Sequence, residues 1–341
     1  MTILHLLGAP AEGGAETYFL SLIKSLKSTG ETQAAAIRSH PARERALADM
    51  GVNTRTLPFL PALTPVTKLG VAAFAREVEA DILLAWMSRA AAATPSGPWA
   101  RIGRLGGYYH MKYFKGFDLL VANTHDIVRH MVDGGWPSEK ARYIPNFAAP
   151  DGHPAQDRAA LDTPDDAPLL LGMGRLHSDK AHDVTLNALT LLPEAYLWIA
   201  GSGPLERDLK ALAAQLGVAD RVRFLGWRDD AGALYRACDV VVFPSRVEPL
   251  GNVVIQAWAY GKPLVTAASV GPAALVRPEV DALLTQVEDV DGLAHAISRV
   301  LEDEALAGRL VEAGAERVAG EFSEAAVVAE WQAVFDQNRQ R

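Results

Sequence analysis

Apolar and polar positions alternate in blocks along the whole chain. In the first half, short strand-like runs, most of them apolar, recur at 3–7, 33–37, 52–57, 82–86, 119–122 and 142–144. Continuous runs of this length predict strands that are buried on both faces. Between them, 16–27, with Leu22, Ile23 and Leu26 on one face, and 127–132 have the spacing of amphipathic helices. The second half repeats the scheme, with strands predicted at 169–173, 196–200, 222–225, 240–243 and 263–266. Helices are predicted there at 184–192, 205–216 and 253–260. Such alternation predicts parallel sheets covered by helices on both faces. Residues 145–168, rich in Pro, Asp, Gly and Ala, carry no apolar period and read as a linker. The expected architecture is therefore α/β, with two doubly wound Rossmann-like domains over 1–148 and 168–321, joined by 149–167. The cleft between two such domains is the default ligand site. In the last segment, 322–341, Val327, Val328, Trp331, Val334 and Phe335 fall at helical spacing. They predict a packing helix that the architecture can send back to the first domain.

Composition narrows the classes. At 341 residues, 49% apolar and 22% charged, the chain can build two ordinary cores. Its single cysteine, Cys238, borders the run at 239–243 and reads as a small buried hydrophobe. A lone cysteine excludes an internal disulfide framework and fits a reducing cytoplasm. The N-terminal run lacks a basic leader and reads as a first strand rather than a signal peptide. No apolar run approaches the ~18 residues that span a bilayer. The net charge of −8 argues against a nucleic-acid partner. Its distribution is uneven: residues 1–150 hold 16 Lys+Arg against 12 Asp+Glu, and residues 151–341 hold 17 against 29. A mildly basic first half suits an anionic partner.

The chemistry concentrates where strands run into polar turns. The run at 240–243 leads through Ser245, Arg246, Glu248 and Pro249 into a helix carrying Gln256. The backbone N–H groups of Leu250, Gly251 and Asn252 then fall at a helix N-terminus, where an anion is stabilised. Strand, polar turn and helix is how an open α/β sheet builds a crevice at its carboxyl ends. The run at 169–173 enters a second loop, Gly174-Arg175-Leu176-His177-Ser178-Asp179-Lys180, whose two cations can clamp a diphosphate. It lacks the Gly-Lys-Ser/Thr order of a Walker A loop. The turn Gly201-Ser202-Gly203-Pro204 opens like a dinucleotide fingerprint but has Glu206 where Gly or Ala is needed. It stays open between a phosphate-proximal turn and a plain strand–helix turn. Glu12-Gly13-Gly14-Ala15-Glu16 sits between the first strand and first helix, open between an anion or sugar contact and a flexible turn. Residues 99–115 interleave Arg101, Arg104, Lys112 and Lys115 with Trp99, Tyr108, Tyr109, Tyr113 and Phe114. That mixture suits an interfacial surface or carbohydrate stacking, and His110 lies in it after Gly106-Gly107. His177 and His182 lack a carboxylate or cysteine partner at ligand spacing, so no zinc site is expected.

Taken in order, these motifs resemble family 4 of the glycosyltransferases, which have the GT-B fold. The matching pieces are Gly13-Gly14-Ala15-Glu16, Ile144-Pro145-Asn146, Gly174-Arg175-Leu176 with Lys180, and Ala200-Gly201-Ser202-Gly203-Pro204. They continue with Phe224-Leu225-Gly226, Cys238-Asp239-Val240 with Pro244-Ser245, and Glu248, Gly251, Gln256-Ala257 and Gly261-Lys262-Pro263. The resemblance implies metal-independent, cofactor-free transfer of a sugar from a nucleoside diphosphate sugar, with retention. It implies that Arg175 and Lys180 hold the donor diphosphate and that Glu248 contacts sugar hydroxyls. Backbone amides at Leu250–Asn252 would meet the phosphate or sugar, and Gly201 and Leu225 would lie in the nucleotide site. His110 would lie near the reacting sugar, and Gly13-Gly14 would close on donor and acceptor. Two positions depart from the pattern: Gln256 replaces a ribose-binding Glu, and Ala181 replaces a Gly. The form Glu-Pro-Leu-Gly-Asn, followed by Ala268-Ser269-Val270-Gly271-Pro272, resembles enzymes of bacterial lipopolysaccharide core assembly. That implies a glycan or lipid-linked acceptor and a cytoplasmic enzyme in peripheral contact with the inner membrane. A sugar-nucleotide epimerase of the same fold, a dinucleotide oxidoreductase and a non-catalytic nucleotide-sugar binder remain alternatives.

Overall fold

The apolar runs form central strands because a sheet with helices on both faces leaves its strands no polar side to solvate. The computed structural model describes residues 1–10 and 13–339. The first unit spans Met1–Asn146 and takes in the C-terminal segment from Glu324; the second is Phe147–Ser323. Along the first run β1 (Thr2–Leu7), α1 (Gly14–Ser28), β2 (Thr32–Ile37), α2 (Pro41–Asp49), β3 (Asn53–Thr56) and α3 (Thr64–Glu77). Then come β4 (Ile82–Trp86), α4 (Met87–Ala92), β5 (Ala100–Leu105), β6 (Leu119–Ala122), α5 (His125–Asp133) and β7 (Ala141–Tyr143). All seven strands pair in parallel, in the order β3-β2-β1-β4-β5-β6-β7. The order reverses between β1 and β4, and a crevice opens at such a switch point.

The second unit contains β8 (Leu169–Met173), α6 (His182–Leu189), β9 (Tyr196–Ala200), α7 (Glu206–Gln215), β10 (Val222–Gly226) and α8 (Ala231–Ala237). It continues through β11 (Val240–Phe243), α9 (Asn252–Ala259), β12 (Leu264–Ala267), α10 (Val270–Leu275), β13 (Leu283–Thr285), α11 (Val290–Glu302) and α12 (Glu304–Ala319). Its sheet is also parallel, ordered β10-β9-β8-β11-β12-β13, with the switch point between β8 and β11. Asp289 and Asp303 cap α11 and α12, accepting from Gly292 N (2.8 Å) and Leu306 N (2.9 Å). Residues 149–167 contain no strand or α-helix but are tied into this unit. Arg158 donates to Ala237 O, Asp165 O and Ala167 O and pairs with Asp239 at 2.8 Å.

The last helix, α13 (Glu324–Asn338), buries Val327, Val328, Trp331, Val334 and Phe335. Each such side chain contributes roughly 1.5–3 kcal/mol by leaving water. It meets α1, where Ser25 Oγ donates to Glu324 Oε1 at 2.6 Å. Glu12 and the end of the segment, Gln340 and Arg341, lie outside the described residues. Among the described residues no helix is long and apolar enough to cross a membrane.

Two strands fall outside the predicted runs. β13, Leu-Leu-Thr, is a three-residue edge strand. β5, Ala-Arg-Ile-Gly-Arg-Leu, carries two arginines and a glycine. Arg104 is nevertheless buried, at 2% exposure, with its guanidinium 5.2 Å from the Tyr18 ring centroid and 5.1 Å from that of Trp86. Its Nη2 donates to Asn146 Oδ1 at 2.6 Å. Flat aromatic faces and an amide oxygen compensate the lost hydration of the charge. The basic, aromatic surface expected over 99–115 is thereby corrected: Trp99 and Arg104 belong to the interior, Arg101 is half-buried, and the fully exposed part follows β5. Cys238 is buried as expected, its thiol pushed up to about 12 by burial.

Candidate functional site

In the second unit the loops after β8 and β11, the strands flanking the switch point, carry the side chains with the most chemistry. The first leaves β8 through Gly174 and Arg175 and makes one 3-10 turn at Ser178–Lys180. It enters α6 through Ala181, a left-handed residue at φ 53°. Alanine has no preference for this region, so the substitution for glycine adds local strain without blocking the turn. The second loop runs from Ser245 to Gly251, which is left-handed at φ 89° and caps α9. A β-carbon at Gly251 would also lie 3.3 Å from the Phe243 ring. The left-handed backbone therefore favours glycine there, and the close ring adds to the cost of a side chain.

The two loops meet in an ion pair, Lys180 Nζ to Glu248 Oε2. The side chains are 18% and 14% exposed, so the charges neutralise one another in a largely dry setting. The Lys180 ammonium also lies 5.5 Å from the Phe243 ring centroid. The Glu248 carbonyl accepts from Gly271 N at 2.7 Å, which fixes the loop backbone beside the charged pair. Leu250 is buried, and Asn252 opens α9. Arg175 projects from the β8 loop as an exposed cation.

The loop after β9 explains Gly201-Ser202-Gly203. Leu176 N donates to Ser202 O (3.1 Å) and Leu205 N to Leu176 O (3.0 Å). A β-carbon at Gly201 would sit 1.9 Å from Gly174 O. These glycines let two loop backbones press together, a need that no pattern within 199–206 reveals. Gly201 N also donates to Gly226 O at 2.8 Å, bringing Gly201 beside the end of β10, where Leu225 is half-buried.

Gln256, on α9, has a defined partner. Its Oε1 accepts from the Tyr235 hydroxyl at 3.0 Å. The Tyr235 ring stacks on Tyr260 at 4.9 Å and 2°, and the Tyr260 oxygen accepts from Asp151 N at 3.0 Å. Burial pushes the Tyr235 pKa well up, so its hydroxyl remains a donor. The amide nitrogen of Gln256 is left as the group that can donate to a ligand.

The residue that the sequence reading passed over is Arg246. Its Nη1 and Nη2 reach both oxygens of Asp183, at 2.9 and 2.6 Å. Nη1 also donates to Ser178 O at 2.7 Å, and Nη2 and Nε both donate to the Glu288 carboxylate, the former at 2.9 Å. Those hydrogen bonds raise the Arg246 pKa. Burial works to raise the Asp183 pKa, but the bonds and charge of Arg246 outweigh it and hold that carboxyl low. A motif reading attends to the carboxylate and the glycine of this turn. It has no signal for the arginine, whose partners are 63 and 42 residues away.

In the first unit, Gly13 is extended (φ 179°) and Gly14 begins α1, so the pair follows β1 at its carboxyl end. His110 is exposed in the loop after β5, just before a short 3-10 turn at Met111–Phe114. Met87, left-handed at φ 63°, follows β4 at the same end of the sheet. The structure thus brings Arg175, Lys180, Gly201, Leu225, Glu248, Leu250, Gly251 and Asn252 to the carboxyl edge of one sheet, with Gln256 farther along α9. It brings Gly13, Gly14 and His110 to the carboxyl edge of the other. Among the described residues no group of three or more His, Cys, Asp or Glu is arranged to hold a metal ion.

Residues 155–317 match the family of group 1 glycosyl transferases. The chain is 39% identical over 324 residues to the lipopolysaccharide core biosynthesis glycosyltransferase LpsE of Rhizobium meliloti (strain 1021), covering 93% of this chain and 94% of that protein. It is 34% identical over 339 residues to LpsD of the same organism, a lipopolysaccharide core biosynthesis glycosyltransferase, covering 98% of both. Among solved structures, Anabaena HepE in complex with UDP-glucose superposes with a TM-score of 0.86 at 21% identity, over 99% of this chain and 100% of that one. WaaG, a glycosyltransferase involved in lipopolysaccharide biosynthesis, superposes with a TM-score of 0.76 at 15% identity over the full length of both. At these identities the structural likeness establishes the fold.

Proposed function

The chain belongs to the group 1 glycosyl transferases, and from that premise we propose that it moves a sugar from a nucleoside diphosphate donor to a glycan or lipid-linked acceptor in lipopolysaccharide core assembly. The observation that carries the donor site is the Lys180–Glu248 pair beside the glycine cap of α9. In the free protein each charge neutralises the other. An arriving diphosphate replaces the carboxylate at Lys180, and Glu248 is released to accept hydroxyl groups of the sugar. Arg175, Lys180 and the first turn of α9 then stabilise the charge that grows on the departing diphosphate, where electrostatic preorganisation has its largest effect. His110, Gly13 and Gly14 serve the sugar and acceptor side. The side-chain cations do the work that a divalent ion does elsewhere, so the transfer is metal-independent; it proceeds with retention at the anomeric carbon.

The test is a binding panel of UDP-, GDP-, ADP- and CDP-sugars, then acceptor trials with the best donor in the presence of a chelator. UDP-glucose is the first donor to try, since HepE binds it. The expected result is one preferred base and transfer undiminished by the chelator. In the same panel Gln256→Glu should tighten the preferred nucleotide, because a carboxylate accepts hydroxyl groups with charge assistance. Product formed from donor alone would identify an epimerase, and binding without any product a non-catalytic binder.

The acceptor side carries a membrane component in this reading. Tyr108 and Tyr113 are 43% and 40% exposed after β5, alongside exposed Lys112 and Lys115. Aromatic rings and lysines together suit an anionic lipid surface, at about 1 kcal/mol per lysine near it. Lys112→Glu with Lys115→Glu should weaken association with phosphatidylglycerol-containing vesicles by about tenfold or more. Equal association of the variant and the parent would remove the membrane contact from the proposal.

A further inference from the structure

We propose that Arg246 is a positioning residue for the donor site, holding Lys180 and Glu248 in register by tying together three loops. The inference rests on the donor-site reading above. Lys180 and Glu248 stand on different loops: Lys180 ends a single 3-10 turn, Ser178–Lys180, and Glu248 lies in the irregular stretch from Ser245 to Gly251. Something must fix their separation. Arg246 lies two residues before Glu248 and reaches across to the loop of Lys180. Its guanidinium engages Ser178 O and both Asp183 oxygens, one residue group on each side of Lys180. Its backbone N–H donates to Asp179 O at 2.8 Å, and Val247 N donates to the same oxygen at 3.3 Å. The two loops are therefore cross-linked at side-chain and backbone level within three residues of both charged groups.

The third anchor is Glu288, in the turn between β13 and α11. Glu288 is left-handed at φ 66°, a conformation that a glutamate adopts only when its surroundings hold it. Its carboxylate completes the clamp on Nε and Nη2. Five N–H donors in a rigid plane match two carboxylates and a carbonyl, which a lysine cannot do from a single ammonium. The role is distinct from catalysis: the groups that Arg246 engages are protein groups, and its effect on substrate passes through Lys180 and Glu248.

The experiment is titration calorimetry with UDP and UDP-glucose (and the other nucleotides of the panel, if one of those is preferred) on the whole protein. The variants are Arg246→Lys, Arg246→Met, Lys180→Ala and Lys180→Ala/Arg246→Met, each with its melting temperature. Arg246→Met should weaken the preferred nucleotide about tenfold, and Arg246→Lys should recover only part of that loss. In the Lys180→Ala background, adding Arg246→Met should change affinity for the sugar-free nucleoside diphosphate less than twofold, because Lys180, the positioned group that holds the diphosphate, is gone. A merely structural arginine would lower the melting temperature alike in both backgrounds and show no such coupling. Equal losses in the two backgrounds, or no loss in either, would overturn the inference. If Arg246→Met does not fold, Asp183→Asn/Glu288→Gln removes the partners while keeping side-chain size, and the same coupling with Lys180→Ala decides. A parent protein that binds no nucleotide in the panel would overturn the donor-site reading itself. Binding that ignores position 246 would overturn only this inference.

Discussion

Replacing Lys180 or Glu248 by alanine should lower sugar transfer by about 100- to 1000-fold, the usual effect of removing one group that stabilises charge developing in the transition state. The structure makes the reading of these variants less direct than it would be for isolated side chains. Because the two groups pair in a largely buried setting, either single substitution strands an uncompensated charge. Breaking a buried pair costs roughly 3 kcal/mol or more of stability, and lost activity could then report on the fold. The double variant Lys180→Ala/Glu248→Ala separates the two effects. With both charges gone the stability penalty should largely disappear, whereas turnover should stay at or below that of the worse single variant. Recovery of turnover together with melting temperature would show the pair to be a structural brace and sink its assignment to the donor.

Acidification should destabilise the protein well before its carboxylates are protonated. His5, in β1, is fully buried, and burial lowers its pKa to about 4, partly offset by its hydrogen bond to Gln33. The ring is held in one neutral form. Trp86 Nε1 donates to His5 Nδ1 (3.3 Å), which leaves Nε2 to donate to Gln33 Oε1 (2.7 Å). Protonation would set one N–H against another inside the sheet. His182, on the first turn of α6, is likewise buried and lowered to about 4, chiefly by burial. For both, the folded pKa lies below the unfolded value near 6.5, so the unfolded chain binds more protons between these limits. Stability is therefore intact above about pH 6.5, falls as the pH drops towards 4, and loses no more on this account below that. Each histidine contributes on the order of 3 kcal/mol to the fall, at 1.36 kcal/mol per pKa unit. Urea unfolding between pH 7 and 4.5 should show the loss, with one histidine reporting from each unit. His5→Gln and His182→Gln should flatten the slope even if they lower stability overall. A pH-independent midpoint across this interval in the parent protein would refute the assignment.

Much of the fold was legible because burial on two faces writes itself into a chain as short apolar runs. Eleven runs were predicted as strands, and each coincides with a strand of one or other sheet. β5 was not legible, since Arg101 and Arg104 break its run; only packing against Tyr18 and Trp86 makes Arg104 an interior residue. The candidate site divides along the same line. Glu248, Gly251, Arg175 and Lys180 announce themselves as a carboxylate, a glycine and cations in polar turns after strands. That Lys180 and Glu248 touch could not be read, because they lie 68 residues apart and meet only where the strand order places β8 beside β11.

The sequence by itself thus determined the parallel α/β architecture, the family, and which turns carry polar chemistry, because periodicity and residue type are local properties. Tertiary structure alone decided which of those turns are neighbours. It set Gly201 against Gly174 and Gly203 against Leu176, gave Gln256 its partner in Tyr235, and made Arg246 the tie between the loops of Lys180 and Glu248. Each of these depends on strand order, and strand order is fixed by how helices and sheet bury their faces together, a property that no single segment contains.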